Sequence, residues 1–281
     1  MVAPSSPFDR EKFLRGVLEL SNLGLRPQFT PRVYDRDAHL AGGDEARRAE
    51  LQAALEGPAR AIILARGGYG ALRFATQLAT DAVAKAGKPV IGYSDATVLH
   101  ELWWRAGTPS IHGPMCTQLG EEASALERLW RLLTGAEPGP LEWQPRTGVG
   151  GRAEGTLRGG NLATLASLCG TPLQPRFDGA LVLLEDLNEP PYRLDRLLTQ
   201  LALSGAFEGA RGFVIGDLTA PGEPGEGREE TVTGRLAPLG VPLVFGAPFG
   251  HAGCNQPVAF GTRHALDADR GILTPLEPLT C

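Results

Sequence analysis

Residues 89–100, PVIGYSDATVLH, join a short apolar run to a helical pattern through Gly92-Tyr93-Ser94-Asp95. A serine on a strand-to-helix turn is the setting of a nucleophile elbow. The tight turn lifts the hydroxyl out of the sheet, and the next backbone N–H faces the developing oxyanion. Gly92, two residues before the serine, suits that crowding, whereas Ala96 stands where the usual G-x-S-x-G pattern has its second glycine. The simpler reading is that Ser94 or Asp95 caps the helix that follows. A second turn, Arg66-Gly67-Gly68-Tyr69-Gly70, also follows an apolar run. Clustered glycines permit close backbone approach and can aim amides at an anion. Neither phosphate-loop pattern is matched in order, so a second oxyanion donor beside Ser94 is the more economical use.

A hydroxyl nucleophile needs a base, and the base needs an orienting acceptor. His251 follows the run VPLVFGAPF, on a loop whose lack of apolar periodicity gives it no packing role. His112, in Ile111-His112-Gly113-Pro114, is its rival, and His100 reads as a helix-face residue. For the acceptor, the apolar run 181–184 ends in Glu185-Asp186, and the C-terminal end of a buried strand is where an open α/β sheet places functional groups. The alternative is that Glu185 or Glu189 pairs with Arg193 or caps the next helix. The chain order Ser94, Glu185, His251 is one that supports triad chemistry on α/β folds.

These residues must be positioned by elements that the periodicity outlines. Residues 9–23 and 44–55 read as helices, and 61–65 (AIILA) and 89–91 (PVI) as short buried strands of an open parallel sheet. Eight Gly or Pro among residues 136–155 mark a linker, placed at 141–155 between an N-terminal domain (1–140) and a C-terminal one (156–281). The second half reads as a helix near 160–168, a strand at 181–184, a helix at 191–204, and strands at 212–215, 241–245, 257–266 and 271–274. PGEPGEGREE, 221–230, reads as a mobile surface loop.

Composition narrows the classes of function. The 281 residues are 42% hydrophobic and 21% charged, with 37 glycines and 23 prolines, as expected of a turn-rich globular chain of one or two domains. A net charge of −5 without like-charge runs speaks against a nucleic-acid surface. Apolar stretches of about five residues are far short of a bilayer span. The start, MVAPSSP, has neither a basic nor an apolar leader pattern, so cytoplasmic residence is expected. It also leaves little sequence before the first strand. Four cysteines (116, 169, 254, 281) without C-x-x-C spacing, and five histidines without H-E-x-x-H, support neither a disulfide framework nor a metal site.

Taken together, VAPSSP (2–7), ARGGYGALR (65–73), IGYSDATVLH (91–100), HGPM (112–115), GGNLATLASLCGTP (159–172), LLEDLNEPPYRLDR (183–196) and FGHAGCNQPVAFG (249–261) resemble the LD-carboxypeptidases. These serine peptidases include murein tetrapeptide carboxypeptidases and microcin C immunity peptidases. The resemblance implies an N-terminal open parallel-sheet α/β domain bearing the nucleophile, a smaller C-terminal α/β domain bearing acid and base, and an active site in the cleft between them. It assigns the triad to Ser94, Glu185 and His251, and the oxyanion amides to Asp95 and one residue of the RGGYG turn, taken as Gly68. It also implies no metal or cofactor, a small-peptide substrate, no nucleic-acid or membrane partner, and a homodimer. The expected reaction is hydrolysis of the amide between an L-centre, meso-diaminopimelate or L-lysine, and a terminal D-alanine, in peptidoglycan recycling. Arg66, Asn161 and Arg193 are candidates for holding the substrate's charged end. The alternatives are an immunity peptidase cleaving aminoacyl-nucleotide analogues, a branch that tends to be longer than 281 residues, and a silent peptide-binding protein.

Overall fold

The computed structural model describes residues 1–218, 227–251 and 253–279. The chain divides into two compact units: Met1–Ala136 with Gln256–Ala259, and Glu137–Asn255 with Phe260–Leu279.

In the first unit, helices α1 (Arg10–Asn22) and α2 (Asp44–Glu56) precede strand β1 (Ile62–Ile63). There follow α3 (Leu72–Ala75), α4 (Thr80–Ala86), β2 (Val90–Gly92), α5 (Thr97–Arg105), β3 (Ser110–His112) and α6 (Ala123–Thr134). β1 and β3 both run parallel to β2, and the strand Val258–Phe260 lies on the far side of β3. All three residues of β2 are buried, as is α5 from Thr97 through Trp103. Burial on all sides is what an apolar strand covered on both faces requires. α1 instead buries one stripe, Phe13, Gly16 and Leu20, and Asp9 caps it by accepting from the Lys12 N–H.

The second unit carries an eight-stranded sheet. Its elements are β4 (Leu141–Glu142), β5 (Arg146–Val149), β6 (Arg152–Asn161), α7 (Leu162–Ser167), β7 (Ala180–Glu185), α8 (Pro191–Leu203), β8 (Gly212–Ile215), α9 (Arg228–Leu236) and β9 (Leu243–Phe245). After β10 (Val258–Phe260), the strand already placed in the first sheet, come β11 (Arg263–Asp267) and β12 (Ile272–Pro275). The order is β4-β12-β11-β6-β7-β8-β9-β5. The centre, β6 to β9, is parallel, and antiparallel strands flank it on both sides. β7, ALVLLE, is buried throughout, and the apolar cluster beneath it includes Leu165, Phe177, Leu194, Leu198 and Phe213.

Two expectations are corrected. The stretch 141–155 is not a bare linker: it contains β4, β5 and the start of β6. Its glycines and prolines fit because β4 and β5 are the edge strands, and the β5 register shifts between Thr147 and Val149 around Gly148. Of the loop 221–230, residues 221–226 lie outside the described residues, while Arg228 onward is helix, its first turn carrying Glu229 and Glu230 where the helix dipole favours acidic side chains. Among the described residues no helix is long and apolar enough to cross a membrane, and no group of three His, Cys, Asp or Glu side chains could hold a metal ion.

Candidate active site

β2 ends at Gly92, and the chain turns through the 3-10 segment Ser94–Ala96 directly into α5. The half-buried Ser94 has φ +62°, in the left-handed region that side chains other than glycine rarely occupy. A methyl group on Gly92 would stand 3.1 Å from the Ala96 Cβ and 3.1 Å from Leu64 Cδ1. The space left open at Gly92 therefore accommodates alanine where the usual motif has glycine. Neither Ser94 nor Asp95 caps the helix. The caps of both segments lack a side-chain bond, and the Asp95 Oδ2 instead accepts from Ser5 Oγ at 2.6 Å and the Ala71 N–H at 2.9 Å. Burial pushes the Asp95 carboxyl above the usual carboxylate range, against the pull of those hydrogen bonds and of Arg47.

The turn at 66–70 runs against the serine. A Cβ on Gly67 would lie 3.1 Å from Ser94 Cβ and 3.3 Å from Ser94 Oγ. Gly68 is exposed with φ +102°. The Tyr69 amide donates to Ser6 Oγ at 3.1 Å, which leaves Gly67 and Gly68 as the better oxyanion donors. The exposed Arg66 donates from Nη1 to the Pro7 carbonyl at 2.8 Å. The two histidines set against His251 are core residues. His100 bonds Ser110 Oγ at 2.8 Å and the Gly92 carbonyl at 3.0 Å, and burial lowers its pKa to about 4. His112 is fully buried on β3, its ring 5.9 Å from that of Tyr93.

In the second unit, β7 delivers Glu185 at its carboxyl end with no exposed side-chain surface. Its Oε2 lies 2.7 Å from Nδ1 of His251, which is 19% exposed. A carboxylate can only accept, so Nδ1 carries the proton and, in the neutral ring, Nε2 is the nitrogen that bears the lone pair. Gly250 (φ +111°) permits this approach, because a Cβ there would meet Glu185 Oε2 at 2.9 Å. The Gly250 N–H donates to Asn255 Oδ1 at 3.2 Å, fixing the loop from its far side. Burial lowers the His251 pKa, but the Glu185 hydrogen bond and charge, with the charges of Asp186 and Asp217, outweigh it and leave the pKa raised.

Asp186 is a buried acidic neighbour of Glu185 that the sequence did not single out. It accepts from Asn161 Nδ2 at 3.0 Å and from the Ala163 and Leu187 N–H groups, both at 2.8 Å. Burial and then the adjacent Glu185 push its pKa up to about 6. Asn161 also caps α7, its Oδ1 accepting from the Thr164 N–H at 3.0 Å, so it serves the fold at this strand end. Arg193 pairs with Glu189 at 2.6 Å on the first turn of α8. A tandem acidic pair at a strand end was the available signal for Asp186.

The description LD-carboxypeptidase N-terminal domain matches residues 1–113, and LD-carboxypeptidase C-terminal domain matches residues 154–266. The chain belongs to the LD-carboxypeptidase family. A putative carboxypeptidase of Streptomyces coelicolor is 41% identical over all of this LD-carboxypeptidase and 94% of its own length. The murein tetrapeptide carboxypeptidase of Pseudomonas aeruginosa is 32% identical over 96% of this chain and 93% of its own. The crystal structure of muramoyltetrapeptide carboxypeptidase from Oxalobacter formigenes superposes with a TM-score of 0.88 at 28% identity, covering 99% of this chain and 98% of that one. This LD-carboxypeptidase is accordingly a serine-type carboxypeptidase with a two-domain α/β fold.

Proposed function

We propose that this LD-carboxypeptidase removes the terminal D-alanine from murein tetrapeptides, using Ser94, His251 and Glu185 as a catalytic triad. The observation that carries the reading is the 2.7 Å bond between His251 Nδ1 and the buried Glu185, which leaves Nε2 to act as the base. In this mechanism Nε2 takes the Ser94 proton as Oγ attacks the carbonyl of the L-centre, meso-diaminopimelate or L-lysine. The imidazolium, stabilised by Glu185, returns the proton to the departing D-alanine amine. Water, activated by the same nitrogen, then releases the acyl group from Ser94.

The backbone amides of Asp95 and Gly68 are assigned to the oxyanion, and the exposed Arg66 beside them to the terminal carboxylate. Asn161 and Arg193 are bonded to the carboxylates of Asp186 and Glu189, whereas Arg66 donates to the neutral Pro7 carbonyl, which makes Arg66 the leading choice for an anionic end. The domain division, a homodimer and a cytoplasmic recycling role are carried over from the family resemblance.

The test is mass-spectrometric detection of D-alanine released from L-Ala-γ-D-Glu-meso-diaminopimelyl-D-Ala, beside the Ser94→Ala variant. Release by the unsubstituted protein alone is expected. Equal release by Ser94→Ala overturns the role of Ser94. No release from the peptide, with turnover of an aminoacyl-nucleotide amide, would replace the murein substrate by the immunity-type one.

A further inference from the structure

The N-terminal segment and the glycine turn are cross-linked by a set of hydrogen bonds. Ser6 Oγ accepts from the Tyr69 N–H at 3.1 Å, and the Ser6 N–H donates to the Gly67 carbonyl at 3.2 Å. The fully buried Arg47 donates from Nη1 to the carbonyls of Pro4 and Gly70, the latter at 2.9 Å. Asp95 completes the set. One oxygen of its carboxylate takes both the Ser5 hydroxyl at 2.6 Å and the Ala71 N–H at 2.9 Å. A buried carboxylate is costly unless donors surround it, and here both of the donors on Oδ2 come from other segments of the chain.

We infer that the Asp95 carboxylate, with Ser5, is a positioning element that holds the Gly67–Gly68 turn in register with the Ser94 elbow. Asp95 is peptide-bonded to Ser94, so any motion of the carboxylate's partners is transmitted to the serine turn through one residue. The fit there is close: a Cβ on Gly67 would lie 3.1 Å from Ser94 Cβ, and one on Gly68 would lie 2.4 Å from Ser6 Oγ. The 66–70 turn has little regular hydrogen bonding of its own, so side chains must fix its amides. A donor displaced by a fraction of an ångström stabilises an oxyanion poorly, and loss of one such donor costs about 10²–10³ in kcat. The inference rests on the assignment of Ser94 as nucleophile.

Asp95→Asn is nearly isosteric, but its single carbonyl oxygen must serve the Ser5 hydroxyl and the N–H groups of both Ala71 and Gly70, which the two carboxylate oxygens share, and its NH2 adds a donor among them. Two readouts separate this role from a merely structural one. The first is the split of kcat from KM on the murein tetrapeptide. The second is the rate of Ser94 phosphonylation by a fluorophosphonate, followed by intact mass, which forms a tetrahedral adduct without needing the natural substrate. We expect kcat and the phosphonylation rate both to fall at least tenfold in Asp95→Asn, with KM changed less than threefold. Ser5→Ala, a gentler change that keeps the carboxylate, should give a smaller loss of the same kind, and Ser5→Thr should restore it. Phosphonylation of folded Ser5→Ala and Asp95→Asn at the unsubstituted rate overturns the inference. If the tetrapeptide is not hydrolysed while Asp95→Asn still slows phosphonylation, the substrate reading fails and the positioning role stands. If the tetrapeptide is hydrolysed and both variants match the parent in kcat, the positioning role fails and the substrate reading stands.

Discussion

Nδ1 of His251 lies 2.7 Å from Oε2 of Glu185, whose side chain has no exposed surface. The geometry fixes a tautomer, and the tautomer decides whether the ring can serve as a base. In Glu185→Gln the new amide can donate to Nδ1, shifting the ring proton to Nε2 and removing the lone pair that would take the Ser94 proton. A loss of about 10³–10⁴ in kcat is expected, with KM and folding little changed. Steady-state kinetics with the tetrapeptide check it. A loss under tenfold would remove Glu185 from the mechanism.

With His251 as the proposed base, its raised pKa is expected to set the acid limb of the pH profile. Burial alone would lower it, but Glu185, with Asp186 and Asp217 behind, carries it above the ordinary 6.5. Only neutral His251 can accept a proton, so activity falls as pH drops through the raised value. The acid limb of kcat/KM should therefore lie above pH 6.5. In an NMR titration of His251 the midpoint should move to lower pH in Glu185→Gln. A limb below 6.5 in the unsubstituted enzyme would contradict this.

Local patterns carried much of the fold into the sequence. The strand 212–215 and the strand 180–185 announce themselves as apolar runs, and α1 and α2 as periodic stripes with acidic starts. Ser94, Glu185 and His251 stood out because each is a reactive type at the end of such a run. What stayed hidden depends on distance along the chain. Ser5 and Asp95 are 90 residues apart, so nothing local pairs them. β4 and β5 looked like linker because edge strands need neither alternation nor freedom from glycine and proline. The first turn of α9 was masked by the Gly- and Pro-rich residues before it.

Gly67 is a test of close approach at the serine. A methyl group there would stand 3.1 Å from Ser94 Cβ, 3.3 Å from Ser94 Oγ and 3.3 Å from Met115 Cε. Met115 is flexible and can give, whereas Ser94 is held at φ +62° by the elbow. Gly67→Ala should therefore cost about 1–3 kcal/mol of stability and lower kcat by more than tenfold. Thermal melts and kinetics on the same preparation measure both. Full activity would show that the turn and the serine can separate without consequence.

Asp186 makes stability depend on pH at the same strand end. Its carboxyl accepts from Asn161, Ala163 and Leu187, yet burial and then Glu185 raise its pKa to about 6, from an ordinary 3.8. A folded value above the unfolded one means that the fold favours the protonated form. The associated stability is fully present below the unfolded value and is lost as pH rises through about 6. At about 1.4 kcal/mol per pH unit, the loss amounts to ~3 kcal/mol by pH 8. Asp186→Asn is neutral at every pH but gives up the bond from the Ala163 N–H, so it should be the less stable protein at pH 5. Between pH 5 and pH 8 the gap should close by about half of that loss, the rest having occurred between 3.8 and pH 5, because only the parent ionises. Urea unfolding of both proteins at the two pH values measures it, and a gap that stays constant or widens would show that Asp186 ionises in the fold as easily as in the unfolded chain.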